Sequence, residues 1–369
     1  MRIEPDDLIT FGPFMGFGHD EAREFVERVE FRIRREHDPA LIRNEAFIDL
    51  SKNRPLEDLI QRWIWVNSKF TGHTALRMDM PHAWAQLEVV RYIDKCWKDG
   101  RPCRIVILKA RRLGMTTIFV CVFFLMASVM ERMDSLIISD IDEHARKAKD
   151  MAVYALDHMV YGPRCKATKE GIKWPKPQYG NLDIESSEGR NPGRGLGYNM
   201  VLFDEVAHYV RDANKIVSDV IAAVPKSGFS LIAQNSTPKG AGGHFYRLYR
   251  RAKKEESEYK HFFFSWLRHP AYAIPLRDED YPRFEKLSER ETSLMEHHGM
   301  NLEQAKFRRF VVDTEYNGQE EIFDQEYPVD DISCFLRAGR PVFDPDTMLL
   351  VDQRVSKIEP VLQGDLVEI

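Results

Sequence analysis

The sequence predicts an α/β protein with a mostly parallel sheet flanked by helices. Three observations point there. Arg104 to Thr117, RIVILKARRLGMTT, runs from four consecutive apolar residues through a short basic loop into hydroxyls that open an apolar helix. Ser135 to Ser139, SLIIS, is a second short buried strand, followed by a helical stretch. Met200 to Phe203 is a third, and it ends in two adjacent carboxylates, Asp204 and Glu205. Strands alternating with helices are the pattern of a parallel sheet.

Composition narrows the class. The 369 residues are 43% hydrophobic and 30% charged, enough for a sizeable core and two or three compact units. The formal net charge of −5 excludes a global field that would draw the chain to a polyanion, so any such contact must be a local patch. The five cysteines form no C-x-x-C pair, as expected of a reducing compartment. The N-terminus lacks the basic-then-apolar pattern of a signal peptide. The longest apolar run, Ile118 to Met130, is 13 residues. A membrane span requires roughly 18–20, so this run reads as a buried helix.

In chain order, residues 1–45 are charged and helical in flavour, with an amphipathic helix over Glu21–Glu36 whose Arg32, Arg34 and Arg35 read as a solvated face. A second helix is predicted over Glu57–Lys69, carrying Trp63 and Trp65. Thr71–Gln86 is rich in turn formers and feeds a helix at Pro81, a favoured first helical position. Gln86 falls in that helix just upstream of the first strand, where its amide can meet an adenine edge with both donor and acceptor.

The strand and loop that follow have the order of a phosphate-binding loop. N–H groups in the first turn of a helix lack intrahelical partners, and the dipole there favours an anion. Aligned on Gly114 and Thr116 with G-x-x-x-x-G-K-[ST], the loop has Lys109 where the first glycine belongs and Met115 where the lysine belongs. The local cations are Lys109, Arg111 and Arg112. Gly114, Met115, Thr116 and Thr117 complete the candidate binding segment. Taken alone, the stretch also reads as a strand-to-helix turn with solvated basic residues.

After SLIIS, Asp140–Val160 is a predicted helix with alanines at helical spacing. Residues 162–198 are rich in Gly, Pro and Asn and read as loop, with Arg190 and Arg194 close before the acidic strand. At that strand's end the two acids emerge where open α/β sheets bind ligands. Asp204, with the Thr116 hydroxyl, suits Mg²⁺, and Glu205 suits the base that orients and deprotonates an attacking water. Loop and acid pair together indicate a nucleoside triphosphatase. A helix over Asp212–Val224 leads to a strand over Phe229–Ala233 and then Gln234-Asn235-Ser236-Thr237-Pro238. The hydroxyls of Ser236 and Thr237 can sense a γ-phosphate, while a plain turn closed by Pro238 and Gly240 is the alternative. Residues 244–255, HFYRLYRRAKKE, form a basic helix. Beyond it, a helix over Leu302–Val311, FDQEY at 323–327, Cys334-Phe335 and Val342-Phe343 read as packing elements of a small subdomain.

With these pieces in order, residues from about 50 to 350 resemble the ATPase half of the large terminase subunit, the DNA-packaging motor of tailed bacteriophages and their relatives. TGHTALRMDMPHAWAQ is similar to its adenine segment, LKARRLGMTT to its phosphate loop, and GRGLGYNMVLFDEVAH to its arginine-glycine approach and acidic strand. NSTPKG is similar to its coupling motif and FDQEYPVDDISCFLRAGRPVF to its lid. The resemblance implies an additional-strand, RecA-like P-loop NTPase fold that uses ATP and Mg²⁺. It implies translocation of double-stranded DNA into a procapsid by a homo-oligomeric ring, a pentamer, docked on the portal protein and served by a small terminase subunit. The setting is the host cytoplasm, with no membrane.

Residues 1–70 would then be an N-terminal helical extension, 71–265 the ATPase core, 266–350 a lid subdomain and 351–369 a linker toward an absent nuclease domain. Lys109 matches a variant with the lysine at the start of the loop, and Arg111 the arginine the family keeps there. Arg194 is the match for an arginine supplied to the neighbouring subunit, so the implied catalytic set is Glu205, Arg194 and Arg111. A two-lobed helicase and a non-hydrolysing module with a degenerate loop are the other readings of the same motifs.

Overall fold

The computed structural model describes residues 55–67, 75–77, 83–158, 165–176, 178–189, 192–193, 197–226, 228–335, 342–344, 349–351 and 358–360. The predicted helix Glu21–Glu36, Pro81, Arg190 and Arg194 lie outside them.

The strands, in chain order, are β1 (Trp65–Asn67), β2 (Ala75–Arg77), β3 (Cys103–Lys109), β4 (Asp134–Ser139), β5 (Lys166–Ala167), β6 (Gly171–Lys173), β7 (Asn181–Ser186), β8 (Met200–Asp204), β9 (Leu231–Ser236) and β10 (Lys260–Phe264). Eight of them form one sheet in the order β10-β3-β9-β8-β4-β7-β6-β5. The pairs β10/β3, β4/β7 and β4/β8 are parallel. The pairs β5/β6 and β6/β7, at one edge, are antiparallel. The α/β expectation holds. In that order β9 stands between the loop strand β3 and the acidic strand β8, the additional-strand arrangement. Among the described residues no helix is long and apolar enough to cross a membrane.

The chain forms two compact units. Of the described residues, one unit comprises those up to Arg104 with those in Gly114–Asp204 and Tyr209–Ala233; the other comprises those in Ile105–Leu113, Glu205–His208 and from Gln234 onward. In the first unit, the helix Met115–Val129 is buried on nearly every side. Its sequence, MTTIFVCVFFLMASV, is apolar all round for that reason. Leu136–Ile138 of β4 and Met200–Phe203 of β8 are fully buried. Parallel strands covered on both faces read as continuous apolar runs, and these do. The helix Asp142–Asp157 lays Ala145, Ala148, Ala152 and Ala155 on the core, and is shorter at both ends than predicted.

The largest correction concerns residues 162–198. They hold β5, β6 and the six-residue β7, whose Leu182, Asp183 and Ile184 are buried. The predicted helix Glu57–Lys69 is Leu56–Trp63, ended by extended backbone at Ile64. The helix carrying Gln86 starts at Trp84, not Pro81. The strand predicted at Phe229–Ala233 is shifted to Leu231–Ser236, which brings Ser236 into β9.

In the second unit, Ile105–Lys109 of β3 pair with Lys260–Phe264 of β10. The helices Glu289–His298 and Leu302–Thr314 each begin with a capping box, Ser288 with Glu291 and Asn301 with Gln304. FDQEY belongs to the helix Glu320–Glu326 and its cap. Its Phe323 and Tyr327 stack at 4.6 Å and meet Trp266 and Phe307. The expected packing role of this segment is what the structure gives it. The last described strands, β11 (Val342–Asp344), β12 (Leu349–Val351) and β13 (Ile358–Pro360), form a small antiparallel sheet.

Candidate functional site

β3 delivers Lys109 at its last position with only 4% of the residue exposed. The loop then turns outward. Ala110 N–H donates to the Phe264 carbonyl at 3.0 Å and Arg111 N–H to that of Glu326 at 2.8 Å. The Tyr272 hydroxyl donates to the Arg111 carbonyl. These bonds fix the first half of the loop to its own unit. The Arg111 side chain is nearly half exposed, with Nη1 at 3.5 Å from the Tyr316 hydroxyl and Nε at 3.9 Å from Glu326. Arg112 is exposed and adopts a left-handed backbone, φ 60°.

Gly114 starts the helix Met115–Val129 from a left-handed conformation, φ 70°, and no side chain caps the first turn. A Cβ at this position would lie 2.6 Å from Nε2 of Gln86. Glycine is favoured here for its φ, and a Cβ would also displace the Gln86 amide laid against it. Met115 is 1% exposed, so what it can offer an anion is its backbone N–H. Thr117 Oγ1 lies 3.5 Å from the Met151 sulfur.

Thr116 turns the other way. Its Oγ1 donates to Asp204 Oδ2 at 2.8 Å, and Asp204 is 3% exposed at the end of β8. A hydroxyl and a carboxylate side by side are hard oxygen donors. Mg²⁺ takes one or two carboxylates and completes its shell with water and phosphate oxygens. The pair therefore fits Mg²⁺, although the described residues contain no cluster of three His, Cys, Asp or Glu side chains.

The next residue, Glu205, has different surroundings. Its backbone is left-handed, φ 52°, which is uncommon outside glycine and asparagine and costs on the order of 1–2 kcal/mol. This turn points its side chain away from the direction β8 would have given it. Lys109 Nζ donates to one oxygen of Glu205. The other oxygen accepts the Thr237 backbone N–H at 3.0 Å, with Ser236 Oγ at 3.4 Å and Thr237 Oγ1 at 3.5 Å. Burial pushes the Glu205 carboxyl up. The Lys109 charge and hydrogen bond, with the Thr237 N–H, outweigh it and hold the group below the usual carboxylate range. Glu205 is thereby held toward its charged form.

The structure thus brings together Lys109, Glu205, Ser236 and Thr237 in one unit, and Gln86 with Gly114 and Thr116 with Asp204 in the other. Asp204 and Glu205 are joined by one peptide bond. Two partners were not foreseen. His208 Nε2 lies 2.8 Å from Thr237 Oγ1, and Ser236 Oγ accepts the Ala207 N–H at 3.2 Å, so the turn after Glu205 is tied to the tip of β9. The only hint in the sequence is a histidine three residues after the acid. Arg194 lies outside the described residues, but its neighbour Gly193 does not. Gly193 has φ 70°, and a Cβ there would lie 2.7 Å from Leu136 and 2.8 Å from Val220. Its N–H donates to Glu185 at 2.9 Å, which pins this point of the loop.

No protein-family model matches the sequence, and no curated protein matches it. Solved structures do. The large terminase of bacteriophage HK97 is 14% identical, with a TM-score of 0.53 over 76% of this chain and 55% of that one. The ATPase domain of the Thermus phage P74-26 large terminase is 14% identical, with a TM-score of 0.40 over 63% of this chain and 88% of that one. That second score is too low to bear on the fold. The chain spans about half the length of the HK97 protein. At this identity the likeness concerns architecture alone: over the matched part this chain shares the fold of the HK97 large terminase.

Proposed function

We propose that this chain is an Mg²⁺-dependent ATP hydrolase, the motor portion of a viral large terminase, which couples hydrolysis to translocation of double-stranded DNA into a procapsid. The observation that carries this reading is the contrast between consecutive acids. Asp204 is hydrogen-bonded to the loop threonine, as an ion ligand would be, while Glu205 is a half-buried carboxylate held in its charged form by Lys109 and Thr237. Phosphoryl transfer needs little covalent chemistry from a protein; it needs cations on the phosphates, a held ion and a residue that orients water.

In this proposal Lys109 and the uncapped N–H groups from Gly114 onward hold the phosphates, and Thr116 and Asp204 hold Mg²⁺. The ion, when bound, neutralises charge on the phosphate oxygens. Glu205 orients the attacking water and takes its proton. Lys109 serves as a placeholder before nucleotide binds: it keeps Glu205 charged and leaves it when a phosphate offers a better partner. Thr237 and Ser236 then register the change at Glu205, the coupling role expected of them. Arg111, beside Tyr316 and Glu326, and the exposed Arg112 are the further cations of the loop, and Gln86 lies against Gly114. Arg194 would act on the neighbouring subunit's phosphate in a ring assembled on the portal protein with the small subunit.

The test is phosphate release from ATP by the purified chain with Mg²⁺ and with EDTA, beside Asp204→Ala. Turnover that depends on Mg²⁺, with Mg²⁺-dependent nucleotide binding weakened in Asp204→Ala, supports the proposal. A parent chain that binds no ATP, or that binds and never hydrolyses it, would sink it.

A further inference from the structure

Three successive peptide groups of the phosphate loop are held by residues far along the chain, and the third hold differs from the other two. Ala110 N–H donates to the Phe264 carbonyl at 3.0 Å and Arg111 N–H to the Glu326 carbonyl at 2.8 Å, both backbone to backbone. The Arg111 carbonyl instead accepts a side-chain hydroxyl, that of Tyr272, 161 positions away. Tyr272 is 4% exposed. Its ring centroid lies 5.3 Å from that of Phe307 and 5.5 Å from that of Tyr327, so packing fixes where the hydroxyl can reach. Phenylalanine would fill that space as well. A buried hydroxyl is costly without a partner, so the bond to Arg111 is what the oxygen adds. Burial, with Tyr327 beside it, pushes the phenol above its usual range and keeps it a donor.

The carbonyl that Tyr272 holds belongs to the peptide joining Arg111 to Arg112. Arg112 is left-handed, φ 60°, a conformation that a residue with a Cβ takes only where its surroundings impose it. Turning that one peptide over, by opposite rotations at ψ of Arg111 and φ of Arg112, would release Arg112 from the left-handed region. It would also exchange the sides on which the Arg111 carbonyl and the Arg112 N–H lie. A turn that mixes right- and left-handed residues gathers its N–H groups into an anion-binding concavity, so the exchange matters to a phosphate. The Glu326 bond restrains the peptide before; the Tyr272 hydroxyl restrains the one that would turn.

We infer that Tyr272 is a positioning residue for phosphate: its hydroxyl holds the Arg111–Arg112 peptide in the orientation that keeps the loop shaped for an anion before nucleotide arrives. The inference rests on the nucleotide reading for its purpose, though not for its geometry. A loop shaped in advance pays less ordering cost on binding, so the effect belongs to affinity. It also gives the aromatic cluster of Tyr272, Phe307 and Tyr327 a task besides packing, since the cluster sets the position of the hydroxyl.

The experiment compares the full chain with Tyr272→Phe, Arg112→Gly, the two combined, and Tyr249→Phe as a control. Tyr249 is likewise a buried tyrosine of this unit, and its hydroxyl donates to Asp331 at 2.8 Å instead of to the loop. Circular dichroism checks that each variant is folded. Hydrogen exchange is followed on the peptide that covers the loop, and affinity for a fluorescently labelled ADP is measured by anisotropy. Tyr272→Phe should quicken loop exchange and weaken ADP binding, each by about three- to tenfold, the scale of one hydrogen bond. Tyr249→Phe should do neither. Glycine takes φ 60° without strain, so within the Arg112→Gly background the added Tyr272→Phe should weaken ADP binding by less than about twofold. Comparison within that background cancels the lost Arg112 charge. Parent-like loop exchange or parent-like ADP affinity in Tyr272→Phe would overturn the inference. So would equal effects in Tyr249→Phe, or an undiminished loss in the Arg112→Gly background. A parent that binds no ADP, with loop exchange quickened by Tyr272→Phe and not by Tyr249→Phe, would leave the hold on the loop standing and remove the nucleotide reading instead.

Discussion

Glu205 and Glu291 lie in the same unit and solve the same problem in opposite ways. Each is a glutamate with most of its side chain buried against a cation, and each is held below the usual carboxylate range although burial pushes it up. Glu291 is fully committed. Arg309 grips both its oxygens, at 2.5 and 2.7 Å, and the capping box adds the Ser288 N–H at 2.9 Å. Arg309 in turn donates to the Arg283 and Lys286 carbonyls and lies 4.3 Å over the Phe284 ring. Nothing in that arrangement can exchange without loss. Glu205 instead sits on a left-handed residue and is met by a point-charge ammonium from another strand. Its remaining bonds come from the tip of β9. A lysine can swap one anion for another at little geometric cost, which a two-pronged arginine cannot. The difference is that between a staple and, on the function proposed above, a switch.

Substituting the cations should break the comparison most sharply. Lys109→Ala is expected to lower ATP turnover by ~10² or more, the usual scale for removing a group that stabilises developing charge. Met115→Ala, at the position where a phosphate-loop lysine would ordinarily stand, should lose core stability and keep turnover near that of the parent, assayed below its melting temperature. The reverse ranking would pass the phosphate charge to Arg111 or Arg112. Arg309→Met should do the opposite of Lys109→Ala. It leaves a buried carboxylate short of partners and should cost about 1–3 kcal/mol in urea unfolding, with turnover unchanged. A loss of activity at full stability in Arg309→Met would mean that Glu291 is no mere staple.

Acid titration sharpens the same point. A carboxylate depressed in the folded state contributes stability that is full above its unfolded value of ~4.3 and is lost as the pH falls through the folded value. Unfolding free energy of the parent should therefore decline below about pH 4 partly through Glu291, and Arg309→Met should show a flatter acid limb. Identical acid limbs in the two proteins would remove Glu291 from the account. The smallest effect belongs to Thr237→Ala. It deletes a hydroxyl 3.5 Å from Glu205 and leaves the backbone N–H in place, so turnover should fall by less than ~10-fold. A larger loss would give the hydroxyl, and His208 behind it, a direct part in the chemistry.

Much of this could be read before the structure, and the rest is instructive. β3, the helix after Gly114 and β8 were legible because each is a contiguous apolar run bounded by its own signal: the basic loop, Gly114, or the two acids. β7 was not. Its polar Asn181, Asp183 and Glu185 alternate with Leu182 and Ile184 inside a segment whose glycines and prolines signal turns, and an antiparallel neighbour on one side relaxes the demand for a continuous apolar run. Lys109 was legible as a cation. Its partner was not, because the pairing with Glu205 spans 96 positions and depends on the left-handed turn at Glu205. Gln86, expected at a nucleotide base, lays its amide against Gly114 of the loop, a placement that no local signal in the sequence announces.

The central claim, that Glu205 is the base and Glu291 its structural counterpart, is tested most directly by one assay on two variants. Glu205→Gln and Glu291→Gln are compared for ATP binding and for single-turnover phosphate release with Mg²⁺. The account predicts that Glu205→Gln binds ATP as well as the parent and releases phosphate ~10²–10⁴ times more slowly, the scale for loss of a general base, while Glu291→Gln hydrolyses normally in a less stable protein. Phosphate release by Glu205→Gln at the parent's rate would contradict it.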